Sequence, residues 1–365
     1  GCYRNDSATV AAVAAAAGGD PRLRIVILGH DGPTTKADCL NRLYRAVCAE
    51  EERNGEQFRM VLLHDAEDMV DPAGLAVLDD ALDHSEFVQL PVRPEPQRGS
   101  RWIAGHYLDE FAEAHAKAMV VRDALGAALP AAGVGCAFSR QILRQLAQNR
   151  PTGEGPFSVD SLTEDYELGL RIKALGARPR FLRLRGDDGQ LIATRSCFPA
   201  DLRSAVRQKT RWIHGIALQG WDNLGWSLHP IEMWMRVRDR RGPLTAIVLA
   251  AGYLLLAVAT LLWLANIAGL GRPWEGGVLI YTLIAVNFAS FVWRAGMRFA
   301  FTSNEYGWSE GVRAVLRIPL ANLIAIIAGR RALFAYVGSL SGRPVHWDKT
   351  QHSAHPALMH QESAA

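Results

Sequence analysis

The 365-residue sequence is poor in cysteine. Its five cysteines (Cys2, Cys39, Cys48, Cys136, Cys197) are scattered and odd in number, with no Cys-x-x-Cys pair. That excludes a disulfide framework and a thiolate zinc site and fits a reducing compartment. A charge surplus is also missing, since 40 Lys and Arg stand against 37 Asp and Glu, a net +3. Nucleic-acid binders usually carry a clear basic excess, so no nucleic acid is expected as a partner. With 49% hydrophobic and 21% charged residues, the composition excludes a disordered chain. The apolar stretch 10–17 has no basic start and is too short for a signal peptide. It reads as a short helix ended by Gly18. Residue 1 is Gly, and residues 1–6 read as the exit of a strand whose start lies upstream, as in a fragment.

What is present is an alternation of strand and helix signals over the first two hundred residues. Residues 23–28, 60–63 and 87–92 are short apolar runs, whereas 36–49 and 75–82 have helical periodicity. Short buried strands separated by helices predict an α/β domain, a mostly parallel sheet with helices on both faces, over residues 1–200. In such sheets function gathers at the carboxyl ends of strands, and Asp31 and Asp65 fall just after two of them.

The character changes after residue 200. Residues 201–241 are rich in Arg and Trp and read as amphipathic helices at a membrane interface. Residues 242–271 then form a run of 30 without a charge, and residues 276–293 another of 18. A membrane-spanning helix needs roughly 20 apolar residues, so 242–300 reads as a transmembrane hairpin. Residues 318–329 are uncharged for only 12, which places 301–345 as interfacial or re-entrant, ahead of a polar tail at 346–365. Arg236, Arg238, Arg240 and Arg241 precede the first span and Arg294 and Arg298 follow the second, with Arg272 alone between them. The positive-inside rule puts both flanks and the α/β domain in the cytosol.

Three clusters carry candidate chemistry. The first is His64-Asp65-Ala66-Glu67-Asp68, whose crowded carboxylates suit Mg²⁺ or Mn²⁺ shared with substrate phosphates. The bland alternative is a solvated acidic turn ahead of the next helix. The second is Thr163-Glu164-Asp165 at a helix start, where Thr163 or Asp165 is either an N-cap or, for Asp165, a general base toward a hydroxyl. Glu164 beside it disfavours a second negative charge. In the third, Gln208, Arg211 and Trp212 share one helix face. Arg suits a diphosphate, Trp a sugar face and Gln a hydroxyl, although snorkelling at a membrane explains Arg and Trp as well. Two leads close here. GHDGPTTK at 29–36 lacks the Gly that a Walker loop needs before its Lys, and the GxGxxG begun at Gly133 fails at Phe138. His352 and His355 have no third ligand near them and read as solvated.

Asp65 and Asp165 lie 100 residues apart, and Gln208 follows 43 later. In this order, with GVGCAFSR at 133–140 between them, the acidic motif, the Thr-Glu-Asp triplet and the QxxRW pentapeptide resemble the family 2 glycosyltransferases over residues 1–350. The 32–41 segment and Trp347–His352 are similar to a bacterial inner-membrane branch of that family linked to phage adsorption. The resemblance implies a GT-A domain, an inverting transfer from a nucleotide sugar, probably a UDP-sugar, to a hydroxyl of a growing glycan or exopolysaccharide, and a divalent metal. It implies donor contacts from Asp65, Lys36 and Asp6, although Asp6 serves equally as an N-cap. It makes Asp165 the base, and gives Glu164, Gln208, Arg211 and Trp212 to acceptor and diphosphate. Glu67 or Asp68 holds the metal, where the family has Asp-x-Asp. The implied partners are the donor, the glycan acceptor, the bilayer and an outer-membrane export or phage-receptor protein. A lipid-phosphate sugar transferase and a non-catalytic phage-adsorption receptor are the competing expectations.

Overall fold

The computed structural model describes residues 1–150, 155–271, 276–343 and 355–357. The loop residues Arg272 and Glu275, the 347–352 motif with His352, and most of the polar tail lie outside them. The chain begins β1 (Cys2–Tyr3), α1 (Ser7–Ala17), β2 (Ile27–Leu28), α2 (Lys36–Asn54), β3 (Met60–Leu63), α3 (Gly74–Ala81), β4 (Phe87–Gln89), β5 (Val92–Pro94), α4 (Gly105–Glu113) and α5 (Met119–Ala124). It continues β6 (Cys136–Ser139), α6 (Arg140–Gln148), α7 (Glu164–Ala174), β7 (Pro179–Phe181), β8 (Thr194–Ser196), α8 (Leu202–Ile213), α9 (Gly220–Leu224) and α10 (Pro230–Arg240). Four longer or apolar helices close it: α11 (Gly242–Ile267), α12 (Val278–Tyr306), α13 (Trp308–Leu316) and α14 (Ile318–Leu340).

Two compact units interleave along the chain. One comprises residues 1–66, 70–91 and 122–193; the other comprises 67–69, 92–121 and 194–365. Sequence reasoning places a single cut near residue 200, whereas both units are discontinuous.

The first unit is built on a four-stranded sheet in the order β3-β6-β4-β7. β6 runs antiparallel to both β3 and β4, and β4 pairs parallel with β7. The sheet is therefore mixed at its centre, where the sequence reading expected mostly parallel strands. The reversal comes from β6, which inserts between two earlier strands. Its side chains are buried with their neighbours: Phe138 stacks on Phe87 at 4.9 Å, and Ala137 joins Leu78, Val88, Leu90 and Ile192 in the core. β1 and β2 form a separate parallel pair.

α2 ties this unit together. Thr35 caps its start by accepting from the Asp38 N–H at 3.2 Å, and Gly55 ends it in the left-handed region at φ 71°. Near its end Glu51 receives a two-pronged bond from Arg140 (Nε to Oε1 2.8 Å, Nη2 to Oε2 2.7 Å). This buried fork explains the arginine that ends GVGCAFSR: it locks α6 to α2 and has no chemistry to perform. In mid-helix, Asn41 donates to the Phe157 carbonyl at 2.8 Å and accepts from its N–H at 2.9 Å. α2 thereby holds the segment that leads into Thr163-Glu164-Asp165.

The second unit holds the parallel pair β5–β8 and the apolar helices. Residues 67–69 join it through Met69, which exchanges backbone bonds of 2.9 Å with Arg195. α11, α12 and α14 are each long and apolar enough to cross a membrane, by length and composition. α14 corrects the interfacial reading of 318–329. Arg330 and Arg331 end the uncharged run but not the helix, which continues to Leu340 over 23 residues. α14 packs on α8 and α11, so 22% of its most apolar stretch is covered by protein, against 0% for α11 and α12. Its entry is fixed by Arg317, which bonds Asp109 on α4 through Nε (2.9 Å) and Nη2 (2.6 Å), both side chains being fully buried. Gly105 leaves room for that guanidinium, because a Cβ there would sit 2.3 Å from Arg317 Nη1.

Candidate active site

In the first unit the acidic residues meet at a lysine. Asp65 leaves the end of β3, and its Oδ1 lies 2.5 Å from Lys36 Nζ at the start of α2. The same ammonium donates to the Gly133 carbonyl at 3.3 Å. Glu164 and Asp165 open α7, and their charges act on it too. Burial alone would push the Lys36 pKa down; the carboxylates of Asp65, Glu164 and Asp165 more than offset this, and it ends above the ordinary lysine range. Lys36 is thus a permanent cation that collects three carboxylates.

Gly133 shapes the same spot. It lies at φ 76°, and a Cβ there would come within 2.6 Å of Asp165 Oδ2 and 3.3 Å of Lys36 Nζ. Two residues on, the Gly135 N–H bonds the Leu63 carbonyl at 2.9 Å, which registers the loop against the end of β3. This glycine run therefore works by close approach to side chains and not as a dinucleotide loop. Thr163 precedes α7 without a side-chain capping bond, so neither reading of it as a helix cap holds; the Asp165 carboxylate accepts from the neighbouring Tyr166 N–H at 2.7 Å.

The remaining candidates fall elsewhere. Asp6 caps α1, accepting from the Thr9 N–H (3.1 Å) and the Thr9 hydroxyl (2.7 Å), so the capping alternative accounts for it. In the second unit, the Asp68 carboxylate accepts from the Ser196 hydroxyl at 2.5 Å. Among the described residues no three His, Cys, Asp or Glu side chains converge as a metal cluster. Adjacent Glu67 and Asp68 still offer hard oxygen donors, the ligand type that Mg²⁺ and Mn²⁺ accept in ones and twos when substrate phosphates complete the shell. The donor chemistry fits such an ion.

Gln208, Arg211 and Trp212 lie on α8 in the second unit. Gln208 is 5% exposed, and its Oε1 has no hydrogen-bond partner. Lys209, unnoticed in the pentapeptide, is central to the packing there. It pairs with Glu110, and its Nζ lies 4.8 Å from the ring centres of both Tyr107 and Trp212. Tyr107, Phe111, Phe198 and Trp212 form one aromatic cluster. Burial pushes the Lys209 pKa down, and Glu110 does not fully restore it. Helical spacing held the clue, since Tyr107 and Glu110, like Lys209 and Trp212, are three apart.

Strand-end carboxylates gathered on a lysine, in a protein that also carries apolar helices of membrane length, are the build of a membrane group-transferase. Residues 60–271 match the family described as glycosyl transferase family group 2, and the chain belongs to that family. It is 34% identical over 96% of its length to bacteriophage adsorption protein B of Escherichia coli strain K12. The same identity and coverage hold for bacteriophage N4 adsorption protein B of Escherichia coli O157:H7. The chain spans about half the length of these curated relatives.

Proposed function

We propose that the protein is an inverting glycosyltransferase of the bacterial inner membrane, with its transferase domain in the cytoplasm, that moves a sugar from a UDP-sugar to a hydroxyl of a growing glycan. The observation that carries this reading is the meeting of Asp65 and Asp165 with Glu164 around Lys36 and the Cβ-free Gly133. Asp65 and Lys36 bind the donor. Asp165 takes the proton of the acceptor hydroxyl as its oxygen attacks the anomeric carbon from the face opposite the diphosphate. The bond to the diphosphate oxygen breaks, and the nucleoside diphosphate leaves with the electron pair. Glu164, Gln208, Arg211 and Trp212 bind acceptor and diphosphate. Glu67 and Asp68 hold Mg²⁺ or Mn²⁺, which when bound offsets the charge on the departing diphosphate. The arginines flanking the 242–300 hairpin support the cytoplasmic orientation.

The test is Asp165→Asn in the full-length protein, read by release of nucleotide from a panel of nucleotide sugars. General-base loss should slow turnover by about 100-fold or more, and turnover near the wild-type rate would overturn the assignment. Product size separates a polymerase, which yields a ladder, from a lipid-phosphate sugar transferase, which yields one lipid-linked species. The names of the relatives support a further role in phage adsorption through an outer-membrane partner. Adsorption that survives Asp165→Asn would make that role independent of transfer.

A further inference from the structure

The aromatic cluster of the second unit contains polar atoms that its own packing does not satisfy. Tyr107 is fully buried, and its hydroxyl has no hydrogen-bond partner. The rest of the side chain is tightly held: its ring stacks on Phe198 at 4.7 Å, meets Trp212 edge-on at 6.2 Å and carries the Lys209 ammonium on one face. Gln208 repeats the pattern on α8, with a buried side chain and an unpartnered Oε1. The two atoms are complementary, because a phenol donates and a carboxamide oxygen accepts. A native structure rarely leaves such atoms bare unless a water, an ion or a ligand completes them. An apolar ring at the same position would pack equally well, so the hydroxyl is not there for the core. Aromatic faces with a few polar atoms between them are the chemistry that binds a pyranose, whose C–H face lies on a ring while its hydroxyls seek bonds.

We infer that Tyr107 binds the acceptor sugar: its hydroxyl donates to an acceptor oxygen, in one subsite with Gln208 Oε1 and the Trp212 ring. The inference rests on the transferase reading and extends it to a residue of α4, more than ninety positions before the pentapeptide. A site that reads a hydroxyl in this way discriminates strongly against acceptors lacking it.

The variant is Tyr107→Phe in the full-length protein, purified in lipid nanodiscs. The probe is a set of oligosaccharides released from the wild-type product by partial acid hydrolysis, offered as acceptors at fixed nucleotide sugar. The acceptor KM should rise about tenfold, the worth of one hydrogen bond, while the nucleotide-sugar KM stays within about twofold. The melting temperature should hold or rise, since the change removes an unsatisfied buried group. An unchanged acceptor KM overturns the inference alone, as does a melting temperature lowered by several degrees, which would mean that the hydroxyl is satisfied within the fold. A wild-type protein that transfers no sugar from any donor overturns the transferase reading, and this inference falls with it.

Discussion

Two lysines divide the chemistry of the molecule. Lys36 and Lys209 each start or sit within a helix, each is largely covered, and each faces carboxylate. Their charges respond in opposite directions. Three carboxylates act on Lys36 and hold its ammonium above the ordinary range; Lys209 has Glu110 alone, with Arg298 opposing, and burial prevails. The count of opposing charges decides whether a buried cation is an electrostatic hub or a packing piece. Lys36 is the hub, since without it Asp65, Glu164 and Asp165 would repel one another. Lys209 fills a slot between Tyr107 and Trp212, and its partner Glu110 keeps a side chain 45% open to solvent.

Removing each cation tests that contrast most severely. Lys36→Met should lower transfer by about 100-fold or more, because it misplaces both the donor acid and the base. The accompanying loss of stability should be only about 1–2 kcal/mol, since Asp65 is 36% exposed and solvent screens the freed charge. Lys209→Met keeps the stem on the rings and frees a carboxylate that water can reach. It should cost less than about 1.5 kcal/mol. Parallel nucleotide-release assays and thermal melts of the two variants measure the gap, and equal losses would remove the distinction between hub and filler.

A finer comparison lies within the first unit. Gly133 and Gly126 both have positive φ, 76° and 62°. A Cβ on Gly126 meets nothing within 4 Å, whereas one on Gly133 meets the Asp165 carboxylate at 2.6 Å. Each Ala substitution therefore carries a backbone cost of about 1–2 kcal/mol. Only Gly133→Ala should also depress kcat, by about tenfold or more, through displacement of the base. If Gly126→Ala depresses kcat as strongly, the effect belongs to backbone strain and not to the carboxylate.

These residues also show how far a linear reading reaches. Thr35-Lys36, Asp65 and the Thr-Glu-Asp triplet were individually legible, because strand ends and helix starts leave marks in periodicity and capping. Gly133 was legible only as a failed fingerprint, since its function lies in side chains 97 positions before it and 32 after. The insertion of β6 between β3 and β4 was hidden for the same reason: strand order depends on pairings that no local pattern encodes. α14 was hidden differently. A search for uncharged runs stops at Arg330, while the backbone continues as helix through both arginines. The cluster around Lys209 was within reach, because spacings of three and four place Tyr107, Glu110 and Phe111 on one side of α4. A carboxylate and two aromatics on one helix face merit the attention given to the pentapeptide.

The smallest effect concerns two neighbours on α4 whose proton balances oppose each other. His106 is 2% exposed; burial, with Lys209 nearby, lowers its pKa to about 4, although Glu110 and the Ile103 carbonyl pull the other way and Arg298 adds to the lowering. Between pH 6.5 and 4 the unfolded chain binds a proton that the native His106 does not, so acidification costs stability, up to about 3 kcal/mol. Asp109 runs in reverse. Burial raises its pKa to about 6 despite the Arg317 fork. Between pH 6 and 4 the native state holds the extra proton, and acidification adds stability. The two contributions overlap over pH 4–6 and offset each other. The wild-type melting temperature in nanodiscs should therefore stay level within about 2 °C across that window. His106→Gln removes one side of the balance, and its melting temperature should climb as the pH falls from 6 to 4.5. A variant that loses stability on acidification would show that the Asp109–Arg317 pair stays ionised throughout and that His106 carries no proton linkage.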